Sequence, residues 1–415
     1  MKKLLCWLLA LAMVLTAAGC KKKPEPETPV TTEVPTTVAK EPEVQEVPYE
    51  GEEEVLAYEG VTLEFQTVVA ESDPEAVAIA QAAEYFETTT GAQVNIHWQA
   101  GTMDVNQLDI FEVDGALLAS DYLPFALDLG EMAMAADYES WSHPSIRQQV
   151  MERCGCLAGI ASVPHLAALY YDVDAFKSCG IDAIPTTWMD FLTLCNVLAQ
   201  WGWMPLTMDA DFAYMATELH LERALGVEGL WNLATNGWNS SEEAAFAAEQ
   251  ISYLVSAGFL AGGTPAVYPE GFLNLAGSNG VMMASSDRLC QLMERDGLLE
   301  VSWGVFPWPG DGTGTGTAVD EQVLAIHKNC RNPQAAFDFI RLLTSGAFDQ
   351  LRTDLRRGIP ADPNNESSIR GAVETLAVAS SRSFGILDTA YNEVFVKLWQ
   401  GAYPEGGAFF RALAG

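Results

Sequence analysis

A chain of 415 residues that is 49% hydrophobic and 19% charged carries more apolar material than one ordinary core needs, and excludes a wholly disordered protein. Its formal charge of −34 argues against a nucleic-acid partner, because phosphate binding needs clustered Lys and Arg. The five histidines, His97, His143, His165, His220 and His327, have no paired or HExxH spacing, so neither metal nor cofactor is expected.

Met1, Lys2 and Lys3 precede an apolar run from Leu4 to Ala18. The run is shorter than the roughly 20 residues of a membrane span and reads as an export signal over residues 1–19. Leu15-Thr16-Ala17-Ala18-Gly19-Cys20 resembles the lipobox of bacterial lipoproteins, with Ala17 where that family usually has Leu. The resemblance implies cleavage before Cys20 and a diacylglyceryl group on its thiol. An ordinary secretory signal is the alternative. Residues 21–54 hold six prolines and ten glutamates against four lysines. Such a segment cannot bury enough surface to offset chain entropy, so residues 20–54 read as an extended, disordered tether.

The body opens with alternating residues, Val61 to Thr67, which predict a strand. Pro74 and Glu75 mark a helix start, and Val77, Ala80, Ala83 and Phe86 recur at helical spacing until Gly91. Val94 to Trp98 is the next strand, so strand, helix and strand predict a parallel sheet. Leu108 to Phe111 and Ile160 to Val163 read as short buried strands, the second ending at Pro164. Thr187 with Asp190 three residues on is an N-cap pattern. The run Gly310-Asp311-Gly312-Thr313-Gly314-Thr315-Gly316 lacks the Lys-Ser/Thr of a phosphate loop and reads as a flexible crossover loop. Trp188 and Trp399 read as core. Of the cysteines, Cys154, Cys156, Cys179, Cys195, Cys290 and Cys330 belong to the body. They read as scattered buried thiols, with structural disulfides as the alternative.

The stretch from Pro164 is the most specific. His165-Leu166-Ala167-Ala168-Leu169-Tyr170-Tyr171-Asp172 leads through Gly180 to Pro185-Thr186-Thr187-Trp188-Met189-Asp190-Phe191. Further on come Gly280 to Ser286, Phe306-Pro307-Trp308-Pro309-Gly310, Asn332 to Ile340, Gly358-Ile359-Pro360 and Leu398-Trp399-Gln400-Gly401. In this order they resemble the extracellular solute-binding proteins of ABC importers, of the maltose- and oligosaccharide-binding type. Asp172 stands where that family usually has Asn.

The resemblance implies an α/β, periplasmic-binding-protein-like fold of two α/β lobes with a ligand cleft between them. Lobe 1 is expected over 55–164 plus 308–345, and lobe 2 over 165–307 plus 346–415. It implies no chemistry, a monomer, a small-molecule solute (a sugar above all) and ABC permease subunits as partners, outside the cytoplasm and tethered to the cell membrane by lipid. The ligand positions it implies are Asp73, Asp114, His165, Asp209, Asp211, Tyr214, Asp287, Arg288 and Asp320. Arg288 stands where the family often has a stacking Trp. An exported glycoside-active enzyme and a receptor for a cationic solute such as a polyamine are the alternatives.

Overall fold

The computed structural model describes residues 56–415 apart from 100, 102, 209, 211, 212, 261–279, 289, 292–300, 381–385 and 388. Cys20, the signal and the tether therefore lie outside the described residues. Eight strands join in one sheet in the order β2-β1-β3-β8-β4-β6-β5, with β7 also paired to β4.

β1 (Thr62–Gln66) pairs in parallel with β2 (Gln93–His97) and β3 (Ile110–Asp114), as the strand–helix–strand pattern predicts. The connecting helix, Ala76–Thr90, stops at Gly91, whose φ of 78° is left-handed and suits glycine. Its buried stripe is Ile79, Ala82, Ala83 and Phe86; Val77 and Ala80, expected on that face, are exposed. With the helix Pro333–Thr344 these strands enclose a first core around Phe65, Phe86, Phe111, Phe337 and Phe339.

β4 (Ile160–Asp172) is the spine of the molecule. At about 3.3 Å per residue its 13 residues run about 40 Å. β8 (Ala318–Ile326) pairs antiparallel with β3 and with the first part of β4, while β7 (Trp303–Phe306) takes over on the last part. Along the other edge lies β6 (Gly280–Ser286), followed in parallel by β5 (Met204–Thr207). The strand does not end at Pro164 as expected. The pairing shifts between Ala161 and Val163, and such a bulge accommodates a residue without an N–H.

Both faces of β4 are covered, so Ala167, Leu169 and Tyr171 enter a second core with Trp188, Trp308, Phe395 and Trp399. Leu166, Ala168 and Tyr170 enter a smaller cluster with Trp303, Val305, Ile359 and Ile369. The helix Trp188–Gln200 begins as predicted, with Thr187 Oγ1 accepting from the Asp190 N–H at 3.1 Å.

Two expectations change. The helix Gly346–Arg356, assigned above to lobe 2, packs against the helices Ala76–Thr90 and Pro333–Thr344 of the first core, because a short turn at Ser345 folds it back on them. Among the described residues, the tail joins the second core from Ile386 onward. The glycine-rich loop is pinned rather than loose. Arg223 Nε donates to the Gly310 carbonyl at 3.0 Å, and Glu222 accepts from the Thr315 and Gly316 N–H groups at 3.0 and 2.6 Å. A Cβ on Gly312 or Gly314 would collide with the backbone of Arg223 or Glu222, so these glycines serve close approach. None of the six cysteines forms a disulfide.

Candidate functional site

The site assembles where strands from both cores end. β3 stops at Asp114, which caps a short helical turn by accepting from the Ala116 N–H at 2.9 Å. β6 stops at Ser286 and delivers Asp287 and Arg288. The β4–β8 ribbon runs between them, and its register sets His165 opposite Asp320. Strand carboxyl ends are where open α/β sheets present side chains to a ligand.

Asp287 is fully buried. It accepts from the Leu166 N–H at 2.9 Å and lies 2.9 Å from His165 Nδ1. Burial opposes its charged form, but His165, the Leu166 N–H and Arg288 outweigh burial and hold the carboxyl below its ordinary value. This pair locks β6 to β4.

Arg288 reaches the other way. Its guanidinium sits 3.5 Å from Asp114 and 3.5 Å from Asp320. Asp320 is held from behind by Arg153, at 3.2 Å, and Arg153 also grips Glu321 at 2.7 Å. Glu321 has a fully buried side chain. Burial pushes its carboxyl up to about 8, helped by Asp320 and Asp114 and resisted by Arg153 and Arg288. Gly115 leaves it room, since a Cβ there would strike Glu321 Oε1.

Five of the nine expected ligand positions thus share one region: Asp114, His165, Asp287, Arg288 and Asp320. Two do not. Asp73 is exposed and closes the turn before the first helix, accepting from the Ala70 N–H at 3.1 Å. Tyr214 packs against the second core, with its N–H given to Asn392 Oδ1 at 3.2 Å and its phenol raised by burial. Both do local work that a sequence motif does not distinguish from ligand contact. Asp209 and Asp211 lie outside the described residues.

A second ionic group was not foreseen. Glu112, buried inside β3, accepts from Thr67 Oγ1 and Ser162 Oγ at 2.5 Å each and lies 3.5 Å from Arg352. Arg352 is also 3.5 Å from Glu75, and Arg356 is 3.7 Å from the same carboxylate. Ser162 sits within the β4 bulge, which frees it to turn toward Glu112. The available signal was a lone acid in an apolar strand, Ile110-Phe111-Glu112-Val113.

Among the described residues no group of three or more His, Cys, Asp or Glu is arranged to hold a metal. There, too, no helix is long and apolar enough to cross a membrane. The arrangement sets carboxylates and a guanidinium beside one another at a partly water-accessible edge, a pattern that suits recognition of a polar ligand.

Residues 70–347 match the model of the bacterial extracellular solute-binding proteins. The chain belongs to that family. No curated protein matches this solute-binding protein. Solved structures do. One is the apo form of RafE from Streptococcus pneumoniae, 13% identical, covering 85% of this chain and 96% of that one, with a TM-score of 0.65. A putative binding protein, MsmE, from Bacillus subtilis in an open conformation is 16% identical, covers 85% and 95%, and gives 0.59. A sugar transporter of Bacillus licheniformis in complex with stachyose is 14% identical, covers 85% and 98%, and gives 0.54. The shared fold is the periplasmic-binding-protein-like one.

Proposed function

We propose that this solute-binding protein captures an oligosaccharide at the crevice edged by Asp114, Arg288 and Asp320 and delivers it to an ABC permease. One observation carries the reading: Asp114 and Arg288, delivered where strands of two separate cores end, meet at 3.5 Å, and Arg288 also reaches Asp320 near the start of β8 at 3.5 Å. Fixed carboxylates accept from sugar hydroxyls. The stachyose complex of the Bacillus licheniformis protein supports a sugar as the ligand class.

The receptor acts as a monomer and does no chemistry. Glu321 is the one carboxyl here raised toward a general acid's range, but its side chain is fully buried and out of reach of a glycosidic oxygen. Two lobes, built on the two cores and joined by β4 and β8, close over the solute. Residues 1–19 are the export signal, Cys20 carries lipid and residues 20–54 are the leash. Cys20→Ala should leave the protein in the medium or unprocessed, and processed Cys20→Ala found in the membrane fraction would rule the anchor out.

With the buried Glu321 carboxyl raised to about 8, Asp114, Asp287 and Asp320 still outnumber Arg153 and Arg288 by one charge. That favours a cationic solute as the second reading. Thermal shift over raffinose, stachyose, chitin oligosaccharides and spermidine separates them. A ligand at 100 times its Kd adds roughly 2.7 kcal/mol of stability. A shift with spermidine alone would replace the sugar.

A further inference from the structure

Arg288 follows β6, whose Val281, Met282 and Ala284 pack in the second core. Asp114 ends β3, whose Ile110, Phe111 and Val113 pack in the first. The Arg288–Asp114 pair therefore ties elements of different cores together, at side chains 41% and 30% exposed. A solute entering the crevice meets these groups at the water-accessible edge.

The three partners are held very unequally. Asp320 is 15% exposed and has a second partner in Arg153 at 3.2 Å. Asp114 keeps its Oδ1 on the Ala116 N–H at 2.9 Å and offers only Oδ2 to Arg288. Both carboxylates are thus fixed by their own elements. Arg288 pairs with both of them at 3.5 Å, longer than the contact each carboxylate makes with its other partner. A long side chain held by loose, water-accessible pairs is released at small cost.

We propose that Arg288 is an internal competitor for the solute. With no ligand bound, its guanidinium occupies the two carboxylates, Asp114 and Asp320, that ligand hydroxyls require, and it clasps the crevice. A solute binds by displacing it. This rests on the reading of the crevice as the solute site, and it assigns Arg288 a role opposite to that of a ligand contact.

Two consequences distinguish a competitor from a contact. Removing the guanidinium should tighten binding rather than weaken it. Salt should help the unmodified protein, because screening at 1 M, where the Debye length is about 3 Å, loosens an exposed pair while leaving hydrogen bonds to a neutral sugar largely untouched.

The test is calorimetry with stachyose and raffinose on the full mature chain and its Arg288→Ala and Arg288→Lys variants, at 0.05 M and 1 M NaCl. Arg288→Ala is expected to bind about two- to tenfold tighter, the size of effect that exposed pairs allow. Its affinity should not depend on salt. The unmodified protein should move toward it at high salt, and Arg288→Lys should keep most of that salt response. Equal or weaker binding by Arg288→Ala overturns the proposal and leaves the solute site standing. If no form binds either sugar, the sugar reading fails on its own account, and small-angle scattering of the ligand-free proteins decides the clasp. A larger radius of gyration for Arg288→Ala supports the clasp; an unchanged one overturns it.

Discussion

Two ionic groups are built on β3, one at Glu112 in its middle and one at Asp114 at its end, and they differ in one respect above all. The Glu112–Arg352 group is sealed: both side chains are 1% exposed, and Thr67, Val68 and Ser162 satisfy the carboxylate. The Asp114–Arg288 group is wet and loosely paired. A sealed pair whose carboxylate is satisfied by hydrogen bonds holds elements in place, here β1, β3, β4 and the helix Gly346–Arg356. A wet pair can be exchanged for a ligand. Burial, rather than charge, separates the sealed group from the wet one.

The sharpest way to break that contrast is Glu112→Ala. It leaves Arg352 buried beside one fewer carboxylate, and removing one partner of a buried pair costs about 3–5 kcal/mol. Urea unfolding with a loss below 1 kcal/mol would show that the group is not sealed in solution.

Asp287→Ala probes the lock between β6 and β4. It strands the buried Leu166 N–H and His165. The expected loss is about 1–3 kcal/mol in the same assay, with weaker solute binding as a secondary effect.

Glu321 gives a pH test. Its carboxyl rises from an ordinary 4.5 to about 8 in the folded protein. Between those values the unfolded chain has released the proton and the folded one retains it, so the folded protein binds more protons. Stability is then fully present below 4.5 and falls as pH rises, by at most about 1.4 kcal/mol per unit, until the folded carboxyl has also ionised above 8. Glu321→Gln should flatten that slope. Thermal melts of both proteins from pH 5 to pH 8 check it, and an unchanged slope would mean another group is titrating.

Asp114→Ala should do least to the fold. A loose, partly exposed pair contributes about 0–1 kcal/mol, so the melting midpoint should barely move. Solute affinity should drop about tenfold, because a lost hydrogen bond to a charged group is worth about 1.5–3 kcal/mol. Calorimetry and a melt on one preparation separate the two effects. A large loss of stability would put Asp114 with the sealed group instead.

Much of this was legible in the chain, for identifiable reasons. Gly91 as a helix end and Thr187 as an N-cap are local rules with local causes, and both hold. Gly280 to Ser286 was legible through its resemblance to a motif of the family, and it forms β6. Pro164 misled, because whether a proline ends a strand depends on the bulge beside it and on the partner strand. The glycine-rich loop misled because its glycines answer to Glu222 and Arg223, about ninety residues earlier in the chain. Val77 misled because helical spacing predicts a stripe but not its exact bearing on the sheet.

By itself the sequence determined the α/β class, the helix caps, the apolar strands and the order of motifs that marks a solute-binding protein. Each depends on residues near one another in the chain or on their order along it. Only the tertiary structure decided which charges meet. Asp114, Arg153, Arg288 and Asp320 are spread over some two hundred residues, and their pairing follows from the register of β4 on β8 and from where β3 and β6 end. Burial is likewise a property of the packed whole. The same Asp or Glu becomes a turn closure at Asp73, a lock at Asp287, a proton holder at Glu321 or an exchangeable partner at Asp114 according to how much water the surrounding elements leave it.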